Sequence, residues 1–500
     1  VSARRTSSVA SALVLVALTS TAWGCRDDAP ATPSAEGSDS ADAESDAELA
    51  KQRHQALAEL TRWEEAQRAS TGFATLPPWS EAAGPDPFRI RARPGGAIGL
   101  LRGRGQIVSL DVSGAVVGAP VETFVDATGW DLSATQSTLY VVGPRQGSVA
   151  RYQRDADAWV AASPLLVAQT FSLRDVAVGP QDRLALTDPY DHRVLVVDAT
   201  PGSEPANPSF SAPCTGPLSV RWTPTRLLAL CSVDHTLLAW RLGEDGVPQG
   251  EPARVEHDGP MWSFDVLEDE GAAIVAIGGV EDHALDRSDG SFGNVDSFVF
   301  VVELPASGEP RRRAALNVSA HGAMLPKWLR LSREAATTTV DVVGYGDEQH
   351  VKARWDASFA DPQITKRTLV PGITDVAVLD DGTWLAADPL LDAFVRMPPN
   401  ATEPLVLAVA DAADRRSPEV KLGEALAFTG LMGPAARTEG KASRFTCETC
   451  HFEGGVDGRV HWTGRGEVHA STRSLRGLFN NRPHFSRALD ATMAEMVDNE

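Results

Sequence analysis

Cys447-Glu448-Thr449-Cys450-His451 is a C-x-x-C-H motif, and its residue types define a chemistry. Two thiols three positions apart at the start of a helix can each add across a vinyl group of a haem. The histidine that follows then falls beneath the iron as an axial ligand. The same spacing also serves a redox dithiol or half of a zinc site, but the chain holds no second C-x-x-C to complete a zinc tetrahedron. The motif is therefore read as a covalent haem c site, with Cys447 and Cys450 bearing the thioethers and His451 as proximal ligand.

The beginning of the chain agrees with that chemistry. Arg4 and Arg5 form a short basic region, and Ala10 to Leu18 is an apolar run too short to span a bilayer. Residues 1–24 thus read as a signal peptide. Ala22-Trp23-Gly24-Cys25 resembles a bacterial lipoprotein cleavage site, which makes Cys25 the expected lipid anchor; an ordinary secretory cleavage nearby is the other reading. Either exports the chain, to the periplasm or to the outer membrane or cell surface as a lipoprotein, and haem is attached to such motifs outside the bacterial cytoplasm. The net charge of -21 argues against nucleic acid and anionic membrane surfaces as partners. Cys214 and Cys231 flank one turn-and-strand unit and form either a disulfide, in an oxidising compartment, or two buried thiols.

Several elements must position the motif. Residues 25–46, rich in Asp, Glu, Ser, Ala and Pro, read as a disordered acidic tether. Residues 47–70 show helical spacing, with Leu49, Leu57, Leu60 and Trp63 on mixed 3/4 steps. From 88 to 410 short β-rich runs recur between Gly, Asp and Pro turns. Leu173-Arg-Asp-Val-Ala-Val-Gly, Arg183-Leu-Ala-Leu-Thr-Asp and His192-Arg-Val-Leu-Val-Val-Asp198 align almost strand for strand with Ile373-Thr-Asp-Val-Ala-Val-Leu, Thr383-Trp-Leu-Ala-Ala-Asp and Ala393-Phe-Val-Arg-Met397. Asp175 falls with Asp375 and Asp188 with Asp388, the latter two as turn residues. Weaker copies begin near Ile90, Gly129, Pro217, Met261 and Met324. A unit of roughly 40–50 residues with three or four strands is a propeller blade, so about seven blades are expected, six or eight staying open. A pair of β-sandwiches is the other arrangement such strands permit. The run from Glu281 to Val295 reads as an insertion, a solvated loop or, from its aspartates, a calcium loop.

From Ser417 the pattern turns helical, and residues 417–500 resemble the bacterial di-haem cytochrome c peroxidase family, which includes the methylamine-utilisation oxidase. The resemblance is carried by Leu422-Gly-Glu-Ala-Leu-Ala-Phe428, by Phe445-Thr-Cys447-Glu-Thr-Cys450-His451-Phe, by Gly454-Gly-Val-Asp457-Gly and by Ser471-Thr-Arg-Ser-Leu-Arg-Gly-Leu-Phe-Asn480. It implies a multidomain fold: an all-β propeller followed by an α-helical c-type cytochrome domain. The family's W-D-G stands here as Phe485-Ser486-Arg487, and its second C-x-x-C-H is missing, so a fragment of a longer protein is expected, with a second haem beyond it, or else a mono-haem domain. The resemblance places His461 at the distal side of the iron, with His469, His484, Met493 and Met496 as alternatives, a thioether ligand raising the potential. Glu495 is then the candidate acid–base group for peroxide, or a solvated helix residue. Arg444, Arg459, Arg465 and Arg473 suit the haem propionates or a basic surface.

Three functions follow as expectations. The first is a peroxidase-like redox enzyme taking electrons from a donor protein to hydrogen peroxide or oxidising a substrate. The second is a non-catalytic electron-transfer cytochrome on a surface lipoprotein. The third is a surface binding protein whose propeller recognises its partner.

Overall fold

The computed structural model describes residues 84–409 apart from 145, 156–157, 201–204, 270 and 283–294, then 414, 416–430, 446–462, 469–475, 491–492 and 494–495, with scattered positions between 47 and 69. The signal peptide, the tether, Cys25 and most of the blade-five insertion lie outside them. The chain divides into two units, residues 1–60 and 61–500. In the first, the described positions from 47 onward are helical, and Gln55 Nε2 donates to Glu59 Oε1 one turn on at 3.2 Å. No helix among the described residues is long and apolar enough to cross a membrane.

The second unit is a seven-bladed β-propeller. Seven antiparallel sheets of four strands each follow chain order, over 87–122, 129–166, 176–213, 217–256, 261–317, 326–368 and 375–408. The second strand of a blade is covered on both faces, and its sequence is accordingly mostly apolar: Leu227, Leu228, Leu230 and Cys231 are fully buried in blade four, beside a buried Arg226. The outermost strand, such as Val116–Glu122, is exposed, Val116 and Val117 included. Blades one, four, five and six carry a bulge at the same place in the innermost strand, after Pro87, Pro217, Met261 and Pro326. Apolar clusters fill the seams between blades, as where Ile90 and Leu110 meet Leu385 and Phe394 between blades one and seven.

A set of aspartates ties neighbouring blades together. Asp131, Asp265 and Asp375 sit on innermost strands and Asp175 immediately before one, and each accepts a backbone N–H from the next blade. The donors are Val178 at 2.8 Å, Val220 at 3.1 Å, Leu331 at 2.7 Å and Ile90 at 3.0 Å. The last of these closes the ring. Blades one and seven are each built from consecutive strands, so no shared strand joins the ends. Cys214 and Cys231 form a disulfide that ties the end of blade three to blade four, with Cα atoms 5.2 Å apart.

The expectation of an α-helical cytochrome domain is corrected. After the propeller the described residues contain one helix, α1 (Pro418–Phe428), one single-turn helix, α2 (Cys447–Cys450), a 3-10 turn and a two-stranded ribbon of Val460–Trp462 with His469–Ser471. Gly454 and Gly458 sit at φ 71° and 76°, which stops any helix from running on after the motif. Phe428 and Phe452 pack not into a helical core of their own but onto Trp262 and Tyr345 of the propeller.

Candidate cofactor site at the mouth of the channel

The helix α2 is short because only its start is secured. Thr449 Oγ1 accepts the Thr446 N–H at 2.9 Å, and the His451 N–H closes the turn on the Cys447 carbonyl at 2.9 Å. This one turn separates its side chains cleanly. Glu448 and Thr449 are buried, at 1% and 2% exposure, against the propeller. Cys447, Cys450 and His451 are each half-exposed, and both cysteines remain thiols. Two residues three apart share a helix face, so Cys447 and Cys450 lie on one half-buried face of the turn, with His451 next to them and its Nδ1 buried.

The inward side is held by charge. Lys327, from the innermost strand of blade six, places its Nζ 2.5 Å from Glu448 Oε1, and the Glu453 N–H donates to the same oxygen at 2.9 Å. Burial pushes the Glu448 carboxyl above its usual range, against the pull of Lys327. The ammonium also sits over the Tyr345 ring at 3.7 Å and the Phe452 ring at 4.9 Å. Burial raises the Tyr345 hydroxyl pKa well above normal, with the nearby Glu448 charge adding to it.

The next two residues close the channel. Phe452 stacks on Trp262 of blade five, with ring centroids 4.2 Å apart and planes 2° from parallel. Glu453 adopts a left-handed conformation, φ 49°, which turns its carboxylate down to Arg174 of blade three at 2.8 Å. Burial alone would raise the Glu453 pKa, but Arg174, Lys327 and Arg102 outweigh it and hold the carboxyl at about 2. Beneath lies a channel cavity of about 420 Å³, bordered by Arg89, Arg91, Arg221, Asp265 and Asp375.

Further contacts spread the segment over one face of the propeller. His235 Nε2 bonds to the Asp457 carbonyl at 2.8 Å, and a Cβ at Gly458 would lie 2.8 Å from the Val233 carbonyl oxygen, so only glycine fits there. The Gly430 N–H reaches the Gly346 carbonyl at 2.9 Å. Arg416, with 3% of its side chain exposed, binds Asp414 and Glu424 at 3.0 Å and Asp392 of blade seven. Asp414 is pulled far below the ordinary carboxylate range by its bond to Arg416.

The structure thus brings Cys447, Cys450 and His451 together. The backbone of His461 lies in the Val460–Trp462 strand opposite Ala470, and its side chain, like that of His469, lies outside the described residues. So do His484, Met493, Met496, Arg444 and Arg465. Glu495 is exposed, and its Oε2 accepts the Ala491 N–H at 2.7 Å while its own N–H donates to Thr492 Oγ1 at 3.1 Å; it secures a helix start. Sequence reasoning missed Lys327, Glu448, Phe452 and Glu453, which dock the motif. Their only signal was the pair of glutamates flanking the histidine.

The donor set suits a covalently attached haem: two thiols on one helical face and an adjacent imidazole. No family model matches the chain, and no curated protein matches it. Among solved structures, hydrazine synthase of Kuenenia stuttgartiensis is similar with TM-score 0.51 and 13% identity, over 63% of this chain and 96% of that one. Virginiamycin B lyase from Staphylococcus aureus is similar with TM-score 0.43 and 12% identity, over 62% of this chain and 93% of that one. At such identities the first likeness shows the propeller fold alone, and the second carries no argument about chemistry.

Proposed function

We propose that the chain is an exported redox protein that carries haem c on Cys447 and Cys450, with His451 as iron ligand, on the face of a β-propeller. One observation carries this reading. The turn of α2 buries Glu448 and Thr449 and leaves Cys447, Cys450 and His451 partly accessible beside one another. Haem bound there would supply one-electron iron chemistry. The chain's own residues do the positioning: Lys327 fixes Glu448, Arg174 fixes Glu453, and Trp262 holds the Phe452 ring. An attachment segment pinned at three points keeps its geometry when an electron is gained or lost, which favours exchange with a donor or acceptor protein.

Export is supported by the Cys214–Cys231 disulfide, which belongs to an oxidising compartment, and by the basic and apolar leader that ends near Cys25. Electron transfer ranks ahead of the peroxide reduction that the family resemblance implies, because Glu495 is exposed and engaged at a helix start.

The test is expression in a host that matures c-type cytochromes, followed by denaturation and a pyridine haemochrome spectrum. Haem retained under denaturing conditions, and lost in a Cys447→Ala, Cys450→Ala double variant, is the expected result. A wild-type chain that yields no haem in such a host would end this reading.

A further inference from the structure

The seam between blades six and seven opens into a cleft of about 510 Å³, bordered on the blade-seven side by Val378, Gly382 and Trp384. Those residues flank the turn between its first two strands, at the opposite end of those strands from the Asp388–Asp392 turn that binds Arg416. The cleft is therefore on the other face of the ring from Cys447 and Cys450.

The sheet register of blade six explains what lines it. One cross-strand row runs Arg330, Asp341, Lys352, Thr365, and the next runs Trp328, Val343, His350, Arg367. The apolar half of the second row packs against blade seven, with Trp328 and Trp384 edge to face at 5.3 Å. The rest presents Arg330, Lys352 and Arg367, and Lys366 beside them makes four cations at the cleft, in a molecule of net charge -21. Asp341 is the one carboxylate among the described residues that line the cleft, and it is engaged by His350 Nε2 at 2.9 Å. No ion pair joins Arg330, Lys352 or Arg367 to a carboxylate among the described residues.

Two buried atoms mark the site as built to receive something. The His350 side chain is 8% exposed, and its Nδ1 has no hydrogen-bond partner. Arg367 donates through Nη2 to the Pro398 carbonyl, but its buried Nε has no partner. Burial lowers the Arg367 pKa, as expected of a guanidinium removed from water without a counter-charge. Arg367 Nε is a buried donor left unmet among the described residues, which costs about 1–3 kcal/mol, a cost that an anion in the cleft would remove; His350, whose Nε2–H is taken by Asp341, offers Nδ1 as an acceptor to a donor group of the same ligand.

We propose that the blade six–seven cleft binds a small phosphorylated molecule, its phosphate oxygens held by Arg330, Lys352 and Arg367 and its position set by His350. Planar guanidinium forks suit phosphate oxygens, and a multiply charged anion matches the excess of cations over Asp341.

Titration calorimetry of the full chain with inorganic pyrophosphate, at ionic strength matched with sodium chloride, tests this. One saturable site is expected, weakened about tenfold or more by Lys352→Gln and by Arg367→Gln, and unchanged by Lys421→Gln on the opposite face. Lys352 is half-exposed, so its variant keeps the fold even if Arg367→Gln does not, and thermal melting separates the two outcomes. Heat equal to that of the chloride control, or affinity equal in wild type and Lys352→Gln, would overturn the site.

Discussion

Blade three turns through Asp188-Pro189-Tyr190-Asp191-His192-Arg193, and blade seven through Asp388-Pro389-Leu390-Leu391-Asp392-Ala393. Both turns begin on a fully buried aspartate that accepts the N–H three residues on, from Asp191 at 3.3 Å and Leu391 at 2.9 Å. Both place a non-glycine residue at positive φ, His192 at 53° and Asp392 at 50°, residue types that tolerate it. Around this shared frame the surroundings diverge. Tyr190 is 67% exposed, whereas Leu390 packs in the cluster of Trp262, Tyr345 and Phe452 under the cysteine-bearing segment. Arg193 pairs with Asp188 at 3.1 Å, whereas the matching residue in blade seven is Ala393 and Asp388 Oδ2 has no partner. One repeat thus keeps its charge balanced at an open surface. The other gives up the arginine where a segment covers it.

The innermost strands differ in the same sense. Asp175 touches Arg89 at 2.9 Å and Arg221 at 3.3 Å. Burial would raise its pKa, but the two guanidiniums win and hold it below the usual range. Among the described residues the hydrogen-bond donors to Asp375 are the backbone N–H groups of Ile90 and Val376, each at 3.0 Å, and burial carries its pKa upward against the more distant pull of Arg89, Arg91 and Arg221. The largest effect is therefore expected at Asp175. Asp175→Ala leaves two arginines and the Val220 N–H facing a gap; breaking a fully buried pair costs about 3–5 kcal/mol, and the partial exposure of both arginines brings the loss to the low end of that range. Asp375→Ala should cost about 1–3 kcal/mol, the price of unmet backbone donors. Urea midpoints of both variants check the ranking, and equal losses would show that the arginines contribute nothing at Asp175. The signs with pH also oppose. A depressed folded pKa gives Asp175 stability that is present above the ordinary carboxylate range and lost as pH falls through its lowered value.

The second difference is covalent. The seam from blade three to blade four carries the Cys214–Cys231 disulfide across 17 residues, whereas the seam from blade seven to blade one relies on packing and on Asp375. A Cys214→Ala, Cys231→Ala double variant should lose about 3 kcal/mol through loop entropy restored to the unfolded chain. Reductant should lower the wild-type melting temperature by the same amount and leave the variant untouched.

Much of this was legible before any coordinates. The recurrence of Asp-Val-Ala-Val after Arg174 and Thr374, and of the Asp-Pro turns, is local and periodic, and seven blades follow from it. The thiol–thiol–histidine spacing is local too. The helical domain misled because Leu422 to Phe428 is a real helix, α1, and glycines 454, 455 and 458 were read as part of a family motif rather than as breaks. Docking by Lys327 and Arg174 was invisible, since each lies more than a hundred residues from its glutamate and no periodicity links them. The aspartate clamps were half visible: Asp175 and Asp375 aligned, but Asp131 and Asp265 sit in weaker repeats.

Asp388 offers a third test. Burial, with the neighbouring Asp392 charge adding to it, raises its pKa to about 8, so it is protonated at neutral pH. An unfolded aspartate releases its proton near pH 4. Between about pH 4 and 8 the folded state then binds the extra proton, and stability falls as pH rises, by ~1 kcal/mol per pH unit at most. Asp388→Asn mimics the neutral form and removes that slope. It should be near wild type at pH 5 and gain on it by ~1 kcal/mol per pH unit, to about 2–3 kcal/mol at pH 7 to 8. Parallel melting curves across that range, with no crossing trend, would mean that Asp388 is ionised in the folded protein.

The smallest effect turns one blade into the other. Arg193→Ala leaves Asp188 with the Asp191 N–H alone, the condition of Asp388. Arg193 keeps 20% of its side chain exposed, so water partly screens the pair and the loss at pH 7 should be about 1 kcal/mol. Burial already raises the Asp188 pKa against the pull of Arg193, and removing the arginine raises it further. The sign follows from that rise. At pH 5 a larger share of Asp188 takes up a proton and needs no counter-charge, whereas at pH 8 the bare carboxylate is left in the core, so the loss must grow with pH. Urea midpoints at the two pH values read this directly. A loss that is the same at both would show that Arg193 only braces the turn through Asp191 and the Gln169 carbonyl, and that charge balance is not what separates blade three from blade seven.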